Sequence, residues 1–196
     1  TGLSMKGPDG KSLTPYLDSI LPRAAVFENF ISPSSWTLPS VAGIMSSTNP
    51  MITGQFYSES YAAGAETFAG ALAKSGYFNF AVVKNPWLPA RRPDGTLLSS
   101  VVTQGFEYYD VGGATMEPNP LHEKGIGAPR EVAAFTLAEF VSDQAAAVLK
   151  TARARGDKRP FLMYVHYMNT HQPYSPSPQH RYLADAAGPV EGLPDH

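Results

Sequence analysis

The stretch Ser34-Ser35-Trp36-Thr37-Leu38-Pro39-Ser40 gathers hydroxyls just ahead of a helix-compatible segment. A hydroxyl at a helix start sits in the positive end of the helix dipole, beside backbone N–H groups that lack intrahelical acceptors. That setting suits a phosphate or sulfate anion and helps to stabilise an attacking alkoxide. The same residues have a plainer use, in which Thr37 or Ser40 caps the helix with Pro39 in its first turn. Lys84 follows the apolar run 78–83. A lysine at the carboxyl end of a strand can reach a bound anion and neutralise developing charge, or it can simply mark a solvated strand end. Asn169-Thr170-His171-Gln172-Pro173-Tyr174 follows a second apolar run, residues 161–167. His171 there can donate to a substrate oxygen or protonate a leaving group, or serve as polar surface. His166 lies inside that run and reads as a hydrogen-bonded core or rim histidine.

A zinc site is the competing constellation. The five histidines are His122, His166, His171, His180 and His196. Their spacings match no helical or hairpin ligand pair, and no acidic cluster accompanies them. There is no cysteine, which excludes disulfides and thiolate metal sites.

These residues need elements to hold them. Thr14-Pro15 followed by Tyr16, Leu17, Ile20 and Leu21 reads as a short capped helix with one apolar face. Residues 25–31 read as a strand, and 39–47 as a helix entered through a proline. Residues 67–75 predict a helix stopped by Gly76. The run 78–83 reads as a strand, and 86–119 as a long, partly irregular excursion. Residues 130–154 give the clearest helical pattern, carried by Ala133, Leu137, Phe140, Val141, Ala145, Val148 and Leu149. Residues 161–167 are nearly continuous in apolar character, as a buried parallel strand would be. Strands alternating with helices predict an α/β layer fold with a largely parallel sheet. In such sheets, functional residues gather beyond the carboxyl ends of strands, where the three places above all fall.

The bulk numbers are those of a globular domain: 196 residues, 43% hydrophobic and 16% charged. A formal net charge of −2 gives no electrostatic case for nucleic acid or an anionic membrane. The basic stretch from Arg153 to Arg159 is interrupted by Gly156 and Asp157 and reads as a solvated helix end. No apolar run reaches the length of a membrane span, and residues 1–7 hold no apolar signal-peptide core. A first residue of Thr1 rather than methionine predicts a processed, trimmed or partial chain.

Taken in order, the segments resemble the alkaline phosphatase superfamily, and its sulfatase-like members in particular. Thr14-Pro15-Tyr16-Leu17-Asp18 resembles that family's Thr-Pro-Asn-Leu-Asp segment, and Val26-Phe27-Glu28-Asn29-Phe30 resembles the strand leading to its active-site motif. Thr37-Leu38-Pro39-Ser40 falls on the pattern of nucleophile, any residue, Pro, Ser. Gly76-Tyr77 through Lys84 resembles the strand that ends in an active-site lysine. Residues 161–174 resemble the strand and His-x-Pro-Tyr turn that supply a substrate-contacting histidine. The matches keep family order across most of residues 14–176.

The resemblance implies a three-layer sandwich with a mainly parallel sheet, incomplete in this chain, over residues 1–196. Thr37 would be nucleophile and metal ligand, with Lys84 and His171 contacting the transferred group. The implied activity is metal-dependent hydrolysis of sulfate or phosphate esters on a small-molecule, glycan or lipid substrate. Ca²⁺ is the metal expected of a sulfatase, and Mn²⁺ or Zn²⁺ of a phosphatase-like enzyme. Usual sulfatases carry Cys or Ser, oxidised to formylglycine, where this chain has Thr37. Threonine is similar to what phosphodiesterase, phosphonate-cleaving and phosphoethanolamine-transferring relatives use. Val41 stands where a basic residue follows the Pro-Ser pair, and Pro86 where a histidine follows the lysine. Those two departures also fit a degenerate relative that binds an anionic ligand or partner without turnover.

The family's first acidic metal ligands would precede Thr14, and its second acidic pair would follow Tyr174. Asp195-His196 falls too early, with no preceding strand, to be that pair. Thr37 alone would not hold a divalent ion, which wants several oxygen ligands. This chain is therefore expected to be inactive or barely active without those parts.

Overall fold

Phe78-Asn79-Phe80-Ala81-Val82-Val83 form strand β1 (Phe78–Val83), and every one of the six is buried. A strand buried on both faces has no need of polar alternation, which explains its continuous apolar character. The computed structural model describes residues 6, 9–50, 66–85, 88, 101–111 and 138–168. The chain divides into two compact units, Thr1–Ile31 with Gln172–His196, and Ser32–His171.

The larger unit holds the sheet. Among the described residues it has three strands in the order β2-β1-β3, with β2 being Tyr108–Asp110 and β3 Phe161–His166. Both pairings are parallel, with Val82 opposite Asp110 and Val83 opposite His166. Parallel neighbours require crossover connections, which carry helices onto the sheet faces. Helix α2 is Thr37–Ser46, α3 is Phe68–Lys74 and α4 is Ala138–Ala154.

The period of two along β1 divides its side chains between two cores. Phe78, Phe80 and Val82 pack with Val141, Ala145, Val148 and Ala152 of α4. Ala81 and Val83 pack with Val41, Ala42 and Met45 of α2. Helices thus cover both faces of a parallel sheet. This is the three-layer α/β arrangement that the sequence predicts.

Helix α3 begins as expected at Thr67, whose hydroxyl accepts from the Gly70 N–H at 2.9 Å, and it ends before Gly76 at φ +82°. Asn79, fully buried, donates to the Ala69 carbonyl at 2.6 Å and the Gly105 carbonyl at 2.8 Å. It thereby ties β1 to α3 and to the turn before β2.

Several expectations need correction. Residues 25–31 are not a strand: no ladder pairs them among the described residues, and Phe27, Phe30 and Ile31 are more than 70% exposed. Apolar, β-favouring composition does not make a strand without a partner edge to bond it. In the smaller unit, helix α1 (Pro15–Ile20) forms as predicted, but Thr14 does not cap it with its side chain. The Thr14 hydroxyl donates instead to Asp18 at 3.1 Å. The expected apolar face of α1 buries nothing.

β3 is less enclosed than its composition suggests. It lies at the margin of the described sheet, and Phe161 and Met163 are 40% and 45% exposed. β2 lies within the excursion of residues 86–119 and is too short, at three residues, to show periodicity. Residues 130–137 of the expected long helix are outside the described residues; 138–154 form it.

Gly105 has φ +89°, and a Cβ there would meet backbone atoms of Ala69 and Gly70, with the Ala69 carbonyl carbon at 2.5 Å. Both the left-handed backbone and the close approach demand glycine. Gly105→Ala is expected to cost about 2 kcal/mol or more in urea unfolding. An unchanged midpoint would mean that the turn and α3 do not pack as described.

Candidate active site

At the carboxyl end of β1 the chain delivers two adjacent side chains to opposite layers. Lys84 continues the α4-facing set, and Asn85 the α2-facing set. The ladder to β3 extends one step further, with the Lys84 N–H donating to the His166 carbonyl at 3.2 Å.

Asn85 is 2% exposed. Its Nδ2 donates to Thr37 Oγ1 at 3.4 Å and lies 3.4 Å from His166 Nε2. Both contacts are at the long end of hydrogen-bond distances. His166 Nδ1 is 2.9 Å from the Tyr164 hydroxyl. Thr37, Asn85, His166 and Tyr164 thus form one connected group spanning the start of α2, the end of β1 and the end of β3.

Thr37 is the first residue of α2, and the capping position belongs to Trp36, whose side chain makes no capping bond. Ser40 does not cap either: its hydroxyl donates to the Trp36 and Ser34 carbonyls at 2.9 and 3.0 Å. The plain capping use of Thr37 and Ser40 is therefore not what the helix does with them. Pro39 falls in the first turn, where its missing N–H costs no intrahelical bond.

Lys84 is 6% exposed, and its Nζ lies over the Phe140 ring in the first turn of α4, 5.2 Å from the centroid. Burial pulls its amine below the ordinary lysine value, and the Asp110 carboxylate at the end of β2 opposes that fall. Its described contacts are on the α4 side, whereas Thr37 meets Asn85 on the α2 side. The structure therefore brings Thr37 and His166 together and holds Lys84 at the same end of the sheet on the other layer. His171 and Pro86 are outside the described residues, as are His122, His180 and His196.

In the sequence Asn85 is one more polar residue after a strand and does not stand out. The signal that finds it is parity: two consecutive residues at a buried strand's end face different layers. His166, which the sequence presents as a hydrogen-bonded core or rim histidine, is hydrogen-bonded, and its partner Asn85 leads to Thr37.

Among the described residues no group of three or more His, Asp or Glu could hold a metal ion. A hydroxyl, an amide donor and an imidazole do not make the oxygen-rich set a hard cation requires. The described donors do not fit a divalent ion by themselves.

The described parallel sheet, layered between helices and with the Thr37 hydroxyl at a helix start near a strand's carboxyl end, is part of a mixed α/β fold similar to that of an alkaline-phosphatase-like hydrolase. The sequence matches the Sulfatase family over residues 4–188, and the chain belongs to that family. In structure it is similar to the phosphonate monoester hydrolase of Agrobacterium radiobacter, with a TM-score of 0.53 and 18% identity. The similarity covers 86% of this chain and 38% of that one, so this chain spans well under half the length of that enzyme. No curated protein matches it in sequence. Proteins of this superfamily generally use divalent metals. Among the described residues no helix is long and apolar enough to cross a membrane.

Burial holds the His166 imidazole below its usual value of 6.5. A buried base with a lowered pKa is protonated more readily in the unfolded chain, so acidification favours unfolding. Stability tied to His166 is complete above about pH 6.5 and is lost as pH falls through its lower folded value. His166→Gln removes that titration. In urea melts between about pH 7 and 5, the variant's stability is expected to fall less steeply than the wild type's. Parallel curves would contradict the burial of His166.

Proposed function

We propose that the whole protein is a sulfatase-like hydrolase of sulfate, phosphate or phosphonate esters that uses Thr37 as its nucleophile. The observation that carries this reading is the contact at the start of α2, where the Thr37 hydroxyl meets Asn85 from beyond the end of β1. The family supports ester hydrolysis. The name of the structural neighbour favours trying phosphonate monoesters first.

Thr37 Oγ1 gives up its proton to solvent water and attacks the phosphorus or sulfur in line, forming a threonine ester as the bond to the leaving alcohol breaks. The departing oxygen takes a proton, for which His171 is the proposed donor. Water then attacks the same centre, releases the acid and restores the Thr37 hydroxyl. The N–H groups at the start of α2 favour negative charge on the equatorial oxygens. Lys84 adds positive charge at the same end of the sheet. Metal dependence is part of the reading, with Ca²⁺, Mn²⁺ or Zn²⁺ as candidates and Thr37 as one ligand. The remaining acidic ligands would come from sequence beyond the described residues, and a chain without them would be inactive. The substrate would be a small-molecule, glycan or lipid ester.

One observation favours a second reading, that of a binding relative without turnover. Val41 is 5% exposed and packs in the α2 core, so this position offers an anion no charge.

Intact protein screened with aryl sulfate, phosphate mono- and diester and phosphonate monoester, with each metal in turn, separates the two. Under the hydrolase reading, Thr37→Ala lowers kcat by at least about a thousandfold, while Thr37→Ser keeps measurable turnover. Activity unchanged in Thr37→Ala would exclude the threonine mechanism. No turnover on any ester, with retained anion binding, would favour the binding relative.

A further inference from the structure

The connected group around Asn85 has a polarity that follows from its donors and acceptors. Asn85 Nδ2 faces both Thr37 Oγ1 and His166 Nε2. An amide nitrogen only donates, so the imidazole nitrogen facing it must accept. A neutral imidazole that accepts at Nε2 carries its proton on Nδ1, and that proton then points to the Tyr164 hydroxyl at 2.9 Å. Burial keeps the phenol neutral, pushing its pKa up to about 12. Each member of the chain orients the next, and the last contact falls on the hydroxyl of Thr37.

We infer that Asn85 is a positioning residue for Thr37, fixed by His166 in its Nδ1–H form against Tyr164. The amide occupies one lone-pair direction of Oγ1, which restricts the rotation of the Thr37 side chain and leaves a defined direction for attack. As Oγ1 loses its proton, the same donor offsets the charge left on it. Asn85 is suited to this because it is 2% exposed and follows a fully buried strand by two residues. His166 and Tyr164 come from the neighbouring strand, in register with Val83 and Ala81. This inference rests on Thr37 being the nucleophile, but its geometry can be read without turnover.

The test has two arms on the intact protein. Long-range proton–nitrogen NMR of labelled histidine, with His166 assigned by loss of its signal in His166→Gln, is expected to show His166 protonated at Nδ1 near neutral pH. In Asn85→Asp the donor becomes an acceptor, and His166 should gain a proton at Nε2. Wild-type His166 protonated at Nε2 would overturn the inference, whether or not an active substrate is known.

The kinetic arm uses a nitrophenyl phosphonate monoester, or whichever ester class the intact protein turns over. Asn85→Asp is expected to lower kcat at least about tenfold with KM changed less than about threefold. His166→Leu should lower kcat as well. His166→Gln, whose side-chain oxygen can still accept from Asn85, should restore most of it. Full kcat in Asn85→Asp, alongside an inactive Thr37→Ala, would sink the positioning role and leave the hydrolase reading standing. Activity in Thr37→Ala would sink the hydrolase reading itself, while the tautomer measurement would still decide the polarity of the group.

Discussion

Burial of β1 on both faces is the constraint on which the rest of the structure depends. Six consecutive residues with no solvent face can be satisfied only by helices on either side and strands on either edge. The period of two then assigns every residue at the strand's end to a layer. Phe80 and Val82 lead to Lys84 and the α4 side, while Ala81 and Val83 lead to Asn85 and the α2 side. The candidate site is a product of that parity, because Asn85 meets Thr37 only if the strand keeps its register. Asn79, buried and bonded to α3 and the turn before β2, helps to fix that register from within.

Elements whose own residues dictate their burial were legible in the sequence. β1 appears with the bounds its composition suggests, and α3 close to its expected bounds, ending before the Gly76 stop. The helical spacing of Val141, Ala145 and Val148 predicted α4 through the face it buries. Elements that depend on partners were not legible. Residues 25–31 have the composition of a strand but no edge to bond with among the described residues, so Phe27 and Phe30 stay exposed. β2 is a strand because Phe80 and Val82 offer it a ladder, which nothing in three residues can announce.

The candidate site divides in the same way. Thr37 stands out because a hydroxyl just before Leu38-Pro39-Ser40 is a local pattern. Asn85 did not stand out, because its meaning comes from strand parity and from a contact across 48 residues of sequence. Lys84 was visible as a charge at a strand end, but its position over Phe140 depends on the packing of α4. A site assembled from three elements shows each residue type in the sequence, and only the fold shows which of them meet.

Under the proposed hydrolase mechanism the Thr37 hydroxyl forms a covalent ester with the group it transfers. Acid-quenching the intact protein during turnover, followed by mass spectrometry of the peptide spanning residues 24–74, tests that step directly. A phosphoryl, phosphonyl or sulfuryl adduct is expected on Thr37, forming and decaying fast enough to support turnover. Steady turnover with Thr37 unmodified, or an adduct on another residue, would contradict it.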